Sequence, residues 1–228
     1  MNAKRRRCVA ALLAACCLPT LAAHSEGTRF LALGDSYTIG EGVAENDRWP
    51  VQLAHMLHSS QRIDAPEIIA RTGWTTDELA DAMRQHAFHR PYALVTLLIG
   101  VNNQYRGRDL QNYREEFRAL LLDAIALAGD KPQRVVVVSI PDWGVTKFGR
   151  FSGRDVTQIA RELDAYNAAN AQIAAQLGAR YVDITAISRT RGDATDMLVA
   201  DGLHPSTAMY RRWTEAILPE AALALNSE

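Results

Sequence analysis

The chain has 228 residues, of which 48% are hydrophobic and 22% are charged. This length suits one domain with a terminal extension, and the composition excludes intrinsic disorder, a collagen-like repeat and a coiled coil. The 25 Lys and Arg residues nearly balance the 26 Asp and Glu residues, so the net charge at neutral pH is -1. Such a balance gives no reason to expect a nucleic-acid partner.

Residues 1–23 have the pattern of an export signal. Basic residues at positions 4–7 precede an apolar stretch over residues 8–18, and the segment ends in small residues at Ala23. The apolar stretch is too short for a transmembrane helix, which needs roughly 20 residues. We therefore expect cleavage after Ala23, a periplasmic or secreted location, and a single domain over residues 24–228.

A lipoprotein signal is the alternative for the same segment. Residues 13–16 read Leu-Ala-Ala-Cys, the form of a bacterial lipobox, in which Cys16 would be lipidated and would attach the protein to a membrane. The apolar residues 17–23 favour cleavage instead, because a lipoprotein usually turns polar after its cysteine. All cysteines of the chain lie in this segment, so residues 24–228 hold no disulfide, cysteine nucleophile or thiolate metal site.

The first half of the domain alternates short apolar runs with helical patterns. Two of the apolar runs end at a glycine, which is typical of a buried strand that stops at a turn. A Thr-x-x-Glu spacing predicts a capping box at the start of one helix. The predicted strands are residues 30–33, 67–70 and 93–99, and the predicted helices are residues 49–58 and a helix that the capping box Thr75–Glu78 opens.

The second half continues the alternation and ends with a helix. A run of four valines is typical of a strand buried on both faces. Gly178 is expected to end a long helix, and Pro205 is expected in the first turn of the last helix, where its missing N–H costs least. The predicted helices are residues 113–128, 155–177 and 205–225, and the predicted strands are residues 135–140 and 179–184. Strands separated by helices imply βαβ units and a parallel sheet covered on both faces.

Chemically useful residues follow several of these strands, at the edge of the sheet where ligands bind. Ser36 lies on a strand-to-helix turn, where its hydroxyl is presented at a cleft. Gly73 allows a backbone N–H to approach a ligand, and the Asn102 amide can donate to an oxyanion. Asp201 and His204, three residues apart on a turn, can face the serine together. Each motif alone is more often a simple turn or cap, but the four together in this order, each at a predicted strand end or loop, are improbable as a coincidence.

The four blocks resemble those of the SGNH/GDSL hydrolases, which are named for a Ser, a Gly, an Asn and a His. The matching segments are Gly-Asp-Ser-Tyr around Ser36, the glycine Gly73, Gly-Val-Asn around Asn102 and Asp-Gly-Leu-His-Pro around His204. The resemblance runs from about residue 30 to the C-terminal helix. It implies an α/β protein with a three-layer α/β/α sandwich and a five-stranded parallel sheet of the flavodoxin-like type.

The resemblance also implies a mechanism. Ser36 is the implied nucleophile, His204 the general base, and Asp201 the residue that orients His204. The implied oxyanion hole consists of the N–H groups of Ser36 and Gly73 and the side chain of Asn102. This chemistry requires no metal or organic cofactor. The remaining histidine pairs lack a third ligand, so we expect no metal site.

The chain departs from the usual family pattern at two positions near the expected site. Tyr37 stands where the family commonly has Leu after the serine, and Asn103 stands where it commonly has Asp. Both departures bear on substrate preference rather than on chemistry. Trp74, Trp143 and Tyr105 lie in or beside strand-end loops, where an aromatic ring is about as often a packing residue as a substrate contact. The expected substrate pocket consists of Tyr37, Trp74, Asn103 and Trp143.

The sequence therefore predicts an exported serine esterase that hydrolyses carboxylic ester or thioester bonds through an acyl-enzyme on Ser36. The same residues would serve an acyltransferase or a carbohydrate O-deacetylase, and a non-catalytic carbohydrate- or lipid-binding module is the alternative of a different class. The expected partner is a small-molecule, lipid or sugar ester, with a membrane involved only if Cys16 is lipidated. Residues 102–112 and 141–155 are predicted loops that are long enough to shape the cleft.

Overall fold

The computed structural model describes residues 28–58 and 63–227 of the chain. The predicted export signal over residues 1–23 and the alternative lipidation site at Cys16 lie outside the described residues. Within the described part, strands and helices alternate as predicted. The strands are β1 Phe30–Gly34, β2 Glu67–Ala70, β3 Leu94–Leu98, β4 Val135–Val138 and β5 Arg180–Val182.

These strands form one parallel sheet in the order β2-β1-β3-β4-β5. The predicted five-stranded parallel sheet is confirmed, and its order is the flavodoxin-like one. Every residue of β1, β3 and β4 is buried, which accounts for their continuous apolar sequences, since a central parallel strand is covered on both faces. The edge strand β2 is only half-buried.

Helices cover both faces of the sheet. The helices are α1 Ser36–Ile39, α2 Trp49–His58, α3 Thr76–Gln85, α4 Val101–Tyr105, α5 Leu110–Leu127, α6 Lys147–Phe151, α7 Val156–Leu177, α8 Thr185–Arg191 and α9 Thr207–Leu225. The chain moves from β1 to β2 in one direction and then back past β1 to β3, β4 and β5. Right-handed crossovers in opposite directions place α2 on one face and α3, α5 and α7 on the other, and α9 packs against α2. None of the described helices is long and apolar enough to cross a membrane.

The last helix begins later than the sequence predicts. Ser206 is its N-cap, and the Ser206 hydroxyl accepts a hydrogen bond from the Met209 N–H at 3.4 Å. Pro205 therefore does not occupy the first turn, and this prediction is wrong. Pro205 instead forms an isolated antiparallel bridge with Leu198, which closes the preceding loop.

Both predicted cleft loops contain short helical elements. The first loop begins inside α4, and the second holds a 3-10 turn, Trp143–Val145, followed by α6. Side chains cap these elements: Asp142 accepts from the Gly144 N–H at 2.9 Å, and Thr146 accepts from the Gly149 N–H at 3.0 Å. Elements of five residues or fewer are too short to show a helical period, so hydrophobic spacing did not predict them.

The strand register brings three loops together at one edge of the sheet. Gly34, at the end of β1, lies opposite Ala70 of β2 and Leu98 of β3. The chain changes its direction across the sheet at this point, and ligands of doubly wound sheets bind at such a switch. The loops that follow β1, β2 and β3 therefore adjoin one another.

Candidate active site

Ser36 is held on a tight turn at the end of β1. The Asp35 carboxylate accepts a hydrogen bond from the Tyr37 N–H at 3.0 Å and caps α1, whose first residue is Ser36. A Cβ atom at Gly34 would lie 2.5 Å from the Leu98 carbonyl oxygen, so only glycine allows the strand to turn this closely. The N–H of Ser36 has no partner within α1, as is general for the first residue of a helix.

Gly73 lies on the loop after β2 in a conformation that favours glycine. Its φ angle is +87°, in the left-handed region where a side chain is strained. The Arg106 guanidinium donates to the Gly73 carbonyl oxygen at 2.6 Å and also pairs with Glu78 at 3.3 Å. Arg106 thereby ties the loop after β2 to the end of α4 and to α3.

Asn102 lies in α4, directly after β3. Its side-chain Nδ2 donates to the Trp74 carbonyl oxygen at 2.9 Å. A primary amide has two N–H groups, and this contact uses one of them. The Trp74 carbonyl therefore fixes the orientation of the Asn102 amide while the second N–H stays available to a ligand.

Asp201 and His204 form a close pair in the loop before α9. The His204 Nδ1 lies 2.6 Å from an Asp201 carboxylate oxygen, whose partner oxygen accepts from the N–H groups of Leu203 and His204. Partial burial alone would raise the pKa of Asp201, but these hydrogen bonds outweigh it and hold the pKa below its ordinary value. Because an ionised carboxylate only accepts, Nδ1 carries the ring proton and leaves Nε2 as an acceptor.

A small antiparallel hairpin positions the pair. The Val199 N–H donates to the His204 carbonyl oxygen at 2.9 Å, next to the bridge between Leu198 and Pro205. Gly202 turns the chain between Asp201 and Leu203 with a φ angle of +71°. Its carbonyl oxygen accepts from the Phe148 N–H at 2.9 Å, so the hairpin is attached to α6.

The four blocks meet at one cavity of about 230 Å³. Ser36, Gly73, Asn102 and His204 all line it, and Ser36 is only 5% exposed. The remaining lining side chains are mostly apolar: Tyr37, Thr72, Val101, Tyr105, Trp143, Phe148 and Leu203. Among the described residues, no group of three or more His, Cys, Asp or Glu side chains could hold a metal ion.

The structure brings two of the four predicted pocket residues to this cavity. Tyr37 and Trp143 line it, whereas Trp74 and Asn103 do not. Asn103 is fully buried, where its amide accepts from the Thr76 N–H at 3.1 Å and donates to the Thr76 hydroxyl at 2.6 Å. Asn103 therefore satisfies the first N–H of α3, a group that has no partner inside its own helix. Trp74 contributes its carbonyl oxygen to Asn102 instead of its ring to the cavity.

Several residues of the site carry no motif in the sequence. Thr72, Val101 and Leu203 line the cavity because they are immediate neighbours of the predicted residues. Arg106 anchors the Gly73 loop from a position four residues after Asn102. Because one helical turn separates Arg106 from Asn102, the two side chains lie on the same face of the helix. This spacing is the sequence feature that could have indicated a role for Arg106 at the site.

Tyr37 connects His204 to the core. Its ring lies 5.8 Å from the His204 ring and 5.9 Å from the Trp213 ring, and both contacts are edge-on. Tyr37 is 3% exposed, and burial raises the pKa of its hydroxyl, so the ring stays neutral. The tyrosine at the position of the family's usual leucine therefore packs between the His204 ring and the core residue Trp213.

Asp35 is a buried carboxyl next to Ser36. One of its oxygens accepts from the Tyr37 N–H, and the other has no hydrogen-bond partner among the described residues. Burial raises the pKa of Asp35 from 3.8 to about 7, although the hydrogen bond from Tyr37 opposes the shift. The carboxyl thus changes its charge close to neutral pH.

The parallel sheet with these four blocks at its switch point has the arrangement of an SGNH-type hydrolase. The sequence matches the family described as the GDSL-like lipase/acylhydrolase family over residues 32–212. The chain belongs to this family of hydrolases, as its resemblance to the SGNH/GDSL blocks indicated.

Many solved structures share the fold at low sequence identity. The crystal structure of TesA is 19% identical, with a TM-score of 0.67, over 84% of this chain and 97% of that one. The psychrotrophic esterase EstA from Pseudoalteromonas sp., solved with monoethylphosphonate as inhibitor, is 16% identical, with a TM-score of 0.64, over 88% and 100%. A catalytic mutant of the acetylxylan esterase Axe2 from Geobacillus stearothermophilus is 19% identical, with a TM-score of 0.64, over 86% and 94%. A search of curated proteins finds no match.

Asp35→Asn tests the buried carboxyl, because asparagine keeps the acceptor for the Tyr37 N–H but does not ionise. The folded state of the wild type holds the Asp35 proton to a higher pH than the unfolded state does. The neutral carboxyl therefore supports folding fully below its unfolded pKa, and this contribution is lost as the pH rises through about 7. Urea unfolding of both proteins should show the wild type losing free energy of unfolding relative to the variant between about pH 4 and pH 7. A difference that does not change with pH would contradict the raised pKa.

Proposed function

We propose that this GDSL-family hydrolase is a serine esterase that cleaves carboxylic esters through an acyl-enzyme on Ser36. The observation that carries the proposal is the convergence of Ser36, Gly73, Asn102 and His204 on one cavity, with His204 held by Asp201 at 2.6 Å. The three structural relatives described above are too distant in sequence to indicate more than the fold, so the proposal rests on this chain's own residues.

Acylation needs a base, because a serine hydroxyl is a weak nucleophile at neutral pH. The Ser36 hydroxyl oxygen forms a bond to the acyl carbon while its proton passes to the free Nε2 of His204. The carbonyl π electrons move to the oxygen and give a tetrahedral oxyanion. When the oxyanion collapses, the bond to the leaving alkoxide breaks, and the alkoxide takes the proton from Nε2. A water molecule then repeats both steps on the acyl-enzyme and releases the acid.

Asp201 and the oxyanion donors lower the barriers of these steps. The ionised Asp201 carboxylate holds the Nδ1 proton and stabilises the imidazolium that forms when His204 accepts the Ser36 proton. The N–H groups of Ser36 and Gly73 and the second amide N–H of Asn102 are the donors for the oxyanion. Their positions are fixed in advance by the Asp35 cap, by Arg106 and by the Trp74 carbonyl.

Acyl transfer to an alcohol or sugar, sugar deacetylation and ligand binding without catalysis are the other candidates for this site. Transfer differs from hydrolysis only in the acceptor of the acyl group, so the acyl-enzyme serves both. The ionised Asp201 beside His204 favours catalysis over ligand binding alone. Among the described residues that line the cavity there is no Asp, Glu, Lys or Arg, so a sugar would find few hydrogen-bond partners there. Export to the periplasm or the medium is part of the proposal and rests on the signal pattern over residues 1–23.

The first test compares the wild type with Ser36→Ala on p-nitrophenyl esters from acetate to palmitate. The wild type should release p-nitrophenolate, and the variant should lose nearly all of this activity, because the proposed acyl-enzyme forms on the Ser36 hydroxyl. Initial rates followed by absorbance give the result. Equal activity of the two proteins would exclude Ser36 as the nucleophile. A competing alcohol added to the assay distinguishes transfer, which yields a new ester, from hydrolysis.

The neighbouring asparagines provide a matched pair for the oxyanion hole. Asn102→Ala should lower kcat by about 10²–10³ with little change in KM, the usual effect of removing one oxyanion donor. Asn103→Ala should instead lower the free energy of unfolding by about 1–3 kcal/mol, because it leaves the buried N–H of Thr76 without its acceptor. Its kcat should stay within a few-fold of the wild type. Steady-state kinetics and urea unfolding of both variants give the comparison, and a kcat loss confined to Asn103→Ala would reverse the assignment.

A further inference from the structure

Three aromatic side chains form one wall of the cavity. Tyr105, Trp143 and Phe148 all line it, and we call these three residues the aromatic wall. The Trp143 ring lies 5.4 Å from the Tyr105 ring and 6.1 Å from the Phe148 ring. Trp143 is 2% exposed, whereas Tyr105 and Phe148 are 48% and 37% exposed, so the wall runs from the interior to the mouth of the cavity.

A buried polar side chain lies directly behind this wall. The Trp143 Nε1–H donates to the Gln104 side-chain oxygen at 2.8 Å, and the Gln104 Nε2 donates to a Glu162 carboxylate oxygen at 2.6 Å. Gln104 is 2% exposed and satisfies the one polar atom of the Trp143 ring. The orientation of the indole is therefore tied to the position of Glu162 on α7.

An arginine connects Glu162 back to the wall. Arg154 pairs with Glu162 at 3.6 Å and donates to the Tyr105 carbonyl oxygen at 3.0 Å. Its guanidinium also lies 5.6 Å from the centre of the Tyr105 ring and 5.3 Å from that of the Trp143 ring, within the range of a cation–π contact. The contacts from Trp143 through Gln104, Glu162 and Arg154 thus close into a ring, which we call the buttress.

We propose that the buttress residues Gln104, Glu162 and Arg154 are positioning residues that hold the aromatic wall as an acyl pocket for medium-length alkyl or aryl acyl groups. The inference rests on the proposed esterase function of the same site. A pocket fixes its ligand when second contacts lock the side chains that line it, and the buttress provides such contacts from outside the cavity.

The size and chemistry of the cavity favour an apolar acyl group longer than acetyl. Each molecule of liquid water occupies about 30 Å³. The cavity of about 230 Å³ is several times larger than this volume, which is more room than an acetyl group needs. Among the described lining residues outside the four blocks, Thr72 carries the one aliphatic hydroxyl, and none of them is charged. Aromatic and aliphatic surfaces stabilise an apolar chain by burying it and offer few hydrogen bonds to a sugar.

The test measures ester selectivity in variants of the buttress. Arg154→Ala and Glu162→Ala should lower the ratio of kcat/KM for p-nitrophenyl octanoate to that for the acetate by roughly fivefold or more, since misplaced pocket contacts discriminate at this level. The loss should appear as a higher KM for the octanoate, with kcat for the acetate nearly unchanged. Glu162→Gln keeps an acceptor for Gln104 and should recover part of the selectivity.

Glu220→Ala is the matched control. Glu220 pairs with Arg180 at 2.9 Å and is 37% exposed at its side chain, close to the 34% of Glu162, but Arg180 begins β5 at the opposite end of the sheet. This variant should keep the wild-type selectivity. Equal losses on every ester in the buttress variants, or a lower thermal stability with an unchanged ratio, would show that the buttress only supports the fold and would overturn the proposal.

A binding measurement separates failure of the pocket from failure of the esterase function. The Ser36→Ala variant can be titrated calorimetrically with octanoate, alone and combined with Arg154→Ala or Glu162→Ala. The dissociation constant for octanoate should rise severalfold in the combined variants. No octanoate binding, or an unchanged constant, would overturn the acyl pocket whether or not esters are hydrolysed. Octanoate binding without ester hydrolysis by the wild type would overturn the proposed function alone.

Discussion

The reversal of chain direction across the sheet is the constraint on which the site depends. β1 lies between β2 and β3, and the shared register of Gly34 with Ala70 and Leu98 ends the three strands at the same level. Three loops that are far apart in the sequence must therefore occupy one small region. Each loop contributes one of the groups that the proposed chemistry requires, and the hairpin before α9 adds the histidine from the remaining side.

Polar contacts behind the cavity hold these groups in place. The Asp35 cap fixes the serine turn, Arg106 holds the glycine loop, and the Trp74 carbonyl orients the amide of Asn102. The same principle extends to the aromatic wall, where a buried glutamine satisfies the Trp143 ring nitrogen. Preorganised donors avoid reorganisation during the reaction, which is the main advantage of a folded site over solvent. Asp35 differs from the rest, because its second oxygen has no hydrogen-bond partner among the described residues and burial raises its pKa to about 7, so that it changes its charge close to neutral pH.

The parts of the structure that depend on local sequence could be predicted. The valines of β4 predict a strand buried on both faces, and the capping box of α3 is present, with the Glu78 carboxylate accepting from the Thr75 N–H at 2.9 Å. The convergence of the four blocks followed from the parallel sheet together with the family resemblance. Three of the blocks follow strands that end along one edge of the sheet, and the fourth lies in the hairpin before α9.

The parts that depend on distant partners could not be predicted. Asn103 was expected in the substrate pocket because of its position beside Asn102, yet its partner Thr76 lies on another helix. Pro205 suited a first helical turn, but pairing with Leu198 placed it in a bridge instead. Gln104 and Glu162 show no local pattern, since their contact joins α4 to α7. Hydrophobic periodicity indicates which face of an element is buried, but it does not indicate which polar side chains of different elements form pairs.

The central claim is that Ser36 is a nucleophile activated by His204, and covalent labelling tests it most directly. The purified protein can be treated with a p-nitrophenyl alkylphosphonate and then analysed by intact and peptide mass spectrometry. We expect one phosphonyl adduct per chain, located on Ser36, with one equivalent of p-nitrophenolate released and much slower labelling in His204→Ala. An adduct on a different residue, or no adduct under conditions where the protein is folded, would contradict the account.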